Sequence, residues 1–224
     1  MPLTEQAYQQ IKRMIVTCEL PPNSMVKEDV LKETLGMSRT PVREALQRLA
    51  MDDLIVVYPR RGMLVAPVTI RQVKEVFQIR EIIEVQIALQ VIDSIDLEPL
   101  RKFYLRFNEL EQSKVTLSDN EYYDLDFSFH RMIVAASHNQ YIVDFMEKVY
   151  DKDYRIRVLT TRTAMDRKEG TMSEHLVIVD AFINRDRQTL QEALTSHIKK
   201  SFKAAIANAI TSAMADGDKE VLFP

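Results

Sequence analysis

The sequence predicts a mainly α-helical protein, with an N-terminal winged helix-turn-helix followed by an all-α bundle of about six helices. Three observations carry this reading. Only 4 glycines and no tryptophan occur in 224 residues, which favours long helices over β-architecture. Residues 1–67 read, in order, as helix, helix, turn, helix and hairpin. From residue 69 to about 215, apolar residues recur at helical spacing only.

In the first part, Ala7, Ile11, Met14, Ile15 and Cys18 mark one face of a helix running from about Thr4 to Cys18, which Pro21 and Pro22 end. A short helix from about Lys27 to Leu35 is expected to bury Val30, Leu31 and Leu35. Gly36-Met37-Ser38 forms a turn, with Gly36 suited to the position just past a helix end. Ser38 is placed to cap a third helix that runs to about Asp52. On that helix Leu46, Leu49 and Ala50 face inward, while Arg39, Thr40, Arg43 and Gln47 face out. Leu54–Tyr58 and Met63–Pro67 read as strands joined by Pro59-Arg60-Arg61-Gly62 at a hairpin tip. The expected division is residues 1–67, residues 68–215 and a tail over 216–224. Helices of the second part are expected from near Thr69 and Ser118, each opening a capping box, and from near Leu97, Asn139, Met172 and Asp186. Breaks are expected at Asp93–Asp96, Val115–Ser118, around Glu169-Gly170 and at Asn184-Arg185.

Composition bounds the function. Hydrophobic residues make up 46% and charged residues 28%, the balance of a globular protein in water. No apolar run approaches the ~20 residues a membrane helix needs, and the N-terminus lacks the charge and apolar core of a secretory signal. The single Cys18 has no partner for an internal disulfide. A cytoplasmic protein is therefore expected. Net charge is −3, and residues 1–67 hold nine basic and eight acidic side chains. Any DNA contact must then come from a focused cluster.

Such a cluster is present. Arg39 and Arg43 stand four residues apart beside Thr40, suited to bidentate contacts with guanine. Ser38, Thr40 and the helix N-terminal amides suit phosphates. Arg60 and Arg61, with Gly62 allowing close backbone approach, suit a flanking minor groove. The alternative is a solvated face in which the arginines pair with Glu44, Asp52 and Asp53.

In the second part, His130, His175 and His197 lie on apolar stripes of three different helices, and Asp126 stands one turn before His130. One histidine on such a stripe is usually a hydrogen-bonded core residue. Three of them, with an acid beside one, are a candidate cluster for a divalent transition metal such as Zn, Ni or Mn. His138 falls at a helix break and is left out. Arg80 and Glu84 interrupt the stripe of Val73, Phe77, Ile87 and Val91. A buried charge needs a partner or a ligand. Either the two pair with each other, or Arg80 grips an anionic effector.

Ser38 to Leu54, followed by Pro59-Arg60-Arg61-Gly62, resembles the DNA-binding domain of the GntR superfamily of bacterial regulators. That resemblance implies DNA contacts from Arg39, Thr40, Arg43 and Gly62. Some relatives carry an arginine in the second helix where this chain has Asp29; Lys27 is the neighbouring candidate for a phosphate. Arg80…Glu84, Asp126-Phe127-Ser128-Phe129-His130, Ala136-Ser137-His138-Asn139 and Glu174-His175, with His197 beyond, resemble the FCD sensor domain of the FadR-type branch. Many members of that branch hold a divalent metal through one Asp and three His. The resemblance thus implies Asp126, His130, His175 and His197 as ligands, with a small carboxylate effector at an open metal position.

The expected protein is a homodimeric, metal-containing regulator of a palindromic double-stranded operator, controlled by a small organic acid. The alternatives are a metal-dependent enzyme in a helical bundle, with Glu174 or Asp180 as base, and a direct metal sensor. Tyr122, Tyr123, Arg155, Arg157 and Arg162 are further side chains whose placement bears on an effector pocket.

Overall fold

A computed structural model describes residues 1–60, 62–112, 117–160 and 166–216, with the side chains of 166–169 and 210–216 left aside. The chain divides into two compact units. One comprises Met1–Ile70, Tyr154–Leu159 and the chain from Ala209; the other comprises Arg71–Asp153 and Thr160–Asn208.

The first unit is the predicted winged helix-turn-helix. Helix α1 (Leu3–Val16) buries Ala7, Ile11 and Ile15, one turn apart, and packs on α3 (Arg39–Met51). Between them lie β1 (Met25–Val26) and α2 (Glu28–Leu35). Gly36 ends α2 in the left-handed region at φ 62°, a conformation that glycine adopts without a Cβ penalty. Its N–H and that of Met37 turn back onto the carbonyls of Glu33 and Lys32. Leu31 is buried in α2, but Val30 is 55% exposed, contrary to the expectation. Eight residues give only two turns, and one apolar position per turn faces the core.

Strands β2 (Ile55–Tyr58) and β3 (Gly62–Val65) form the wing, with Tyr58 opposite Gly62. β1 pairs antiparallel with the other edge of β3, giving the order β1-β3-β2. The core joins α1 and α3 through Val42, Ala45, Leu46, Leu49, Leu54, Ile55 and Val65.

In the second unit, the predicted helices are α4 (Ile70–Val91), α5 (Leu97–Glu111), α6 (Asp119–Ala135), α7 (Gln140–Thr160), α8 (Asp166–Ile183) and α9 (Arg187–Asp216). Side-chain caps explain where several begin. Asp96 accepts from the Glu98 N–H, Ser118 and Glu121 form a capping box, Asn139 accepts from Tyr141 and Ile142, and Asp186 accepts from Thr189. His138 and Arg185 take positive φ at the expected breaks. The break expected around Glu169-Gly170 does not occur, because α8 runs through it. A glycine inside a helix costs only about 1 kcal/mol. Burial of His175, Ile178, Val179 and Phe182 farther along α8 outweighs that cost. Helices α7 and α9 are shared, the Tyr154–Leu159 stretch of α7 and the end of α9 from Ala209 belonging to the first unit. On α7 Arg155 is fully buried and donates to the carbonyl of Ala66 at 2.6 Å. Among the described residues no helix is long and apolar enough to cross a membrane.

Candidate functional site

Two sites come from the two units. On the first unit, Arg39, Thr40 and Arg43 are exposed along α3, and Ser38 occupies the N-cap position without a side-chain cap bond. Both arginines are paired, with acids of α2. Arg39 Nη2 lies 2.5 Å from Asp29 Oδ1, and Arg43 places Nε and Nη2 at 3.2 and 3.0 Å from Glu28. The hydrogen bond from Arg39 holds the Asp29 carboxyl below its ordinary range, and the one from Arg43 to Glu28 raises that guanidinium. Glu44 instead accepts from Thr4, and Asp52 from the Tyr8 hydroxyl. Asp29, singled out as a departure in sequence, is thus the partner of a predicted DNA-reading arginine. At the wing tip Arg60 and Gly62 both have positive φ, 64° and 97°, and both are exposed. Arg61 and Arg162 lie outside the described residues.

On the second unit, α6 supplies Asp126 and His130, α8 supplies His175 and α9 supplies His197. All four are buried, and one ligand atom from each lies within 4.8 Å of all the others. His175 Nε2 stands 3.3 Å from Asp126 Oδ1, and His130 Nε2 stands 4.0 Å from Asp126 Oδ2. The His175 and His197 ring centroids are 4.6 Å apart. His130 Nε2 makes no hydrogen bond. A metal with bonds of about 2.0–2.2 Å spans donors up to roughly 4 Å apart, so shifts below an ångström close the cluster on one ion. The donor set therefore fits a divalent transition metal.

The surroundings of the cluster are ordered as well. The His175 ring stacks on Phe107 of α5 at 4.7 Å and meets the edge of Phe129 at 5.0 Å. Nδ1 of His197 is hydrogen-bonded to Glu174 Oε2 at 2.9 Å, and Lys200 reaches the other carboxylate oxygen at 3.0 Å. Nδ1 of His130 stands 2.8 Å from Glu84 Oε2, the ring turned off the straight N–H···O line. Burial pushes His197 down to about 4, partly offset by Glu174, so the imidazole is neutral as a ligand must be.

The two anomalous charges of α4 lie beside this cluster, both buried. Arg80 donates through Nε and Nη2 to Glu84 at 2.6 and 3.2 Å, and through Nη1 to Asp153 of α7 at 2.5 Å. Burial opposes charge on Glu84, yet Arg80 and His130 hold its carboxyl well below the usual range. Pairing of Arg80 with Glu84 is the first of the two alternatives open in sequence. Asp153 as a third member, and Glu84 as neighbour of His130, were not foreseen. Nothing in the spacing of Asp153 distinguishes it from the adjoining Asp151 and Lys152.

A winged helix-turn-helix joined in one chain to a helical unit with a buried His3Asp cluster defines a class of bacterial transcription regulators. The sequence matches the family "Bacterial regulatory proteins, gntR family" over residues 3–65 and the FCD domain over residues 75–200. The chain belongs to the GntR family of transcriptional regulators, with an FCD domain. It is 30% identical over 194 residues to the HTH-type transcriptional regulator YdhC of Bacillus subtilis, covering 86% of each chain. It is 27% identical over 202 residues to the HTH-type transcriptional repressor RspR of Escherichia coli, covering 89% of this chain and 87% of that one. In fold it is similar to E. coli McbR/YncC, with a TM-score of 0.79 at 20% identity over 92% of this chain and 98% of the other. The Zn2+-bound FCD domain of the regulator TM0439 aligns at a TM-score of 0.51 and 23% identity, over 63% of this chain and 96% of that domain.

Proposed function

We propose that this regulator is a homodimer reading a palindromic operator, with a small organic acid bound at a divalent metal held by Asp126, His130, His175 and His197. The observation that carries the reading is the buried convergence of these four donors in a chain that begins with a DNA-reading fold. The Zn2+-bound state named for the TM0439 domain supports a resident metal. Two recognition helices, one per protomer, match two half-sites, with Ser38, Arg39, Thr40, Arg43, Arg60, Arg61 and Gly62 as contacts. Four protein ligands close a tetrahedral zinc site, whereas a five- or six-coordinate ion such as Ni or Mn keeps one or two positions for a carboxylate. Effector binding acts on the helices around the cluster, among them α4, which follows the wing directly in the chain. A coupling of ~1–3 kcal/mol changes operator affinity about 5–150-fold, enough for regulation.

The test is a thermal-shift screen of small organic acids on metal-loaded protein, with His197→Ala as control. Wild-type protein is expected to hold one metal per chain and to be stabilised by a subset of acids, with both properties lost in the variant. Equal metal content in wild type and His197→Ala defeats the four-ligand site. Metal-loaded protein that no acid stabilises, but whose operator affinity follows free metal, points to a direct metal sensor instead.

A further inference from the structure

The cluster is built at two depths. Each of two histidines carries a glutamate at its Nδ1. Glu174 is hydrogen-bonded to Nδ1 of His197 at 2.9 Å, and Glu84 Oε2 stands 2.8 Å from Nδ1 of His130. The glutamates are themselves held. Arg80 grips Glu84 through two nitrogens and Asp153 through a third, all three side chains being buried to 1% exposure or less. Lys200 holds Glu174 from the surface at 3.0 Å. The His175 ring stacks on Phe107.

We propose that Glu84 and Glu174 are positioning residues for the metal, fixing His130 and His197 so that both present Nε2 to the ion. Arg80 and Asp153 then serve that support, and Arg80 is not the effector clamp. The inference rests on the metal reading given above. A carboxylate at Nδ1 fixes the tautomer, orients the ring and makes the opposite nitrogen a better donor. Loss of such a partner typically lowers metal affinity 10–100-fold. Three of the five N–H donors of Arg80, on Nε, Nη1 and Nη2, already lie on carboxylates, and the side chain is fully buried. The two supports differ in kind. The Glu84 support is enclosed, whereas Glu174 is 14% exposed and its partner Lys200 is 55% exposed. His197 is therefore the ligand whose support solvent can reach.

Full-length protein loaded with Zn2+ or Co2+ decides the matter. Glu174→Gln is the main variant, because its partial exposure spares the fold; Glu84→Gln is the second. In chelator competition each is expected to bind Zn2+ 10–100-fold more weakly than wild type. The visible absorption of the Co2+ form is expected to shift, and Glu174→Asp to recover part of the affinity. A long-range 1H–15N spectrum of the Zn2+ form should show His130 and His197 protonated at Nδ1 and bound through Nε2. Coordination through Nδ1 in either ring, or unchanged affinity and Co2+ spectrum in Glu174→Gln, overturns the proposal. Wild-type protein that takes up no metal overturns the metal reading itself, which separates the two failures.

Discussion

Arg80 shows how a side chain that looks misplaced in sequence finds its place. A guanidinium enclosed in a helical core is tolerable only if its donors meet acceptors, and here they meet Glu84 and Asp153. Burial alone would disfavour the charge, but the two carboxylates hold the guanidinium firmly charged. Arg80→Met leaves two buried carboxylates without that partner. Urea unfolding of the metal-free protein is expected to show a loss of roughly 3–5 kcal/mol. A loss below 1 kcal/mol would mean that the ion pair contributes little. Arg80→Met together with Glu84→Leu should recover part of the loss, since an apolar replacement of a buried pair is often well tolerated. The four candidate ligands were legible because each is a polar residue on an otherwise apolar stripe. Their supports were not. Glu174 and Asp153 differ from surface acids only in what the fold brings opposite them.

At the scale of elements, α2 and α3 together control how much positive charge the DNA-reading face presents. Glu28 and Asp29 occupy Arg43 and Arg39, so under the proposed reading DNA competes with these acids for the arginines. Replacing Glu28 by Gln and Asp29 by Asn removes two negative charges from that face. Exposed ion pairs of this kind are weak and screened by salt. Fluorescence anisotropy on a random duplex at 0.1 M salt should show affinity rising roughly three- to tenfold. No change would mean the arginines leave these acids at no cost. Arg43→Ala should act differently, costing ~1–3 kcal/mol against specific sequence. Helix order and most boundaries were readable because caps and turn residues mark them, as at Gly36, Ser118 and Asn139. β1 was not, since two residues after a Pro-Pro pair make a strand only by pairing with β3. The uninterrupted run of α8 through Gly170 was hidden for a related reason, because tertiary burial offset a poor local propensity.

For the whole chain, the proposed metal ties three helices at one point, so its removal should be felt as stability. An ion present at 1,000 times its dissociation constant adds about 4 kcal/mol to the folded state. Calorimetry of full-length protein before and after chelation is expected to show the unfolding temperature falling on the order of 10 °C. Full restoration by the divalent ion should follow, and an unmoved transition would deny the ion any structural role. Helix α7 bears on how such a protein can be taken apart. Because Tyr154–Leu159 belongs to the first unit, with Arg155 buried against the Ala66 carbonyl, the head is not a contiguous stretch of chain. A gene fragment stopping at residue 67 would keep the helix-and-wing interior but lose Arg155, which answers the Ala66 carbonyl. Grafting this head onto a foreign sensor by simple cut and splice would therefore leave the seam after the wing without its guanidinium latch.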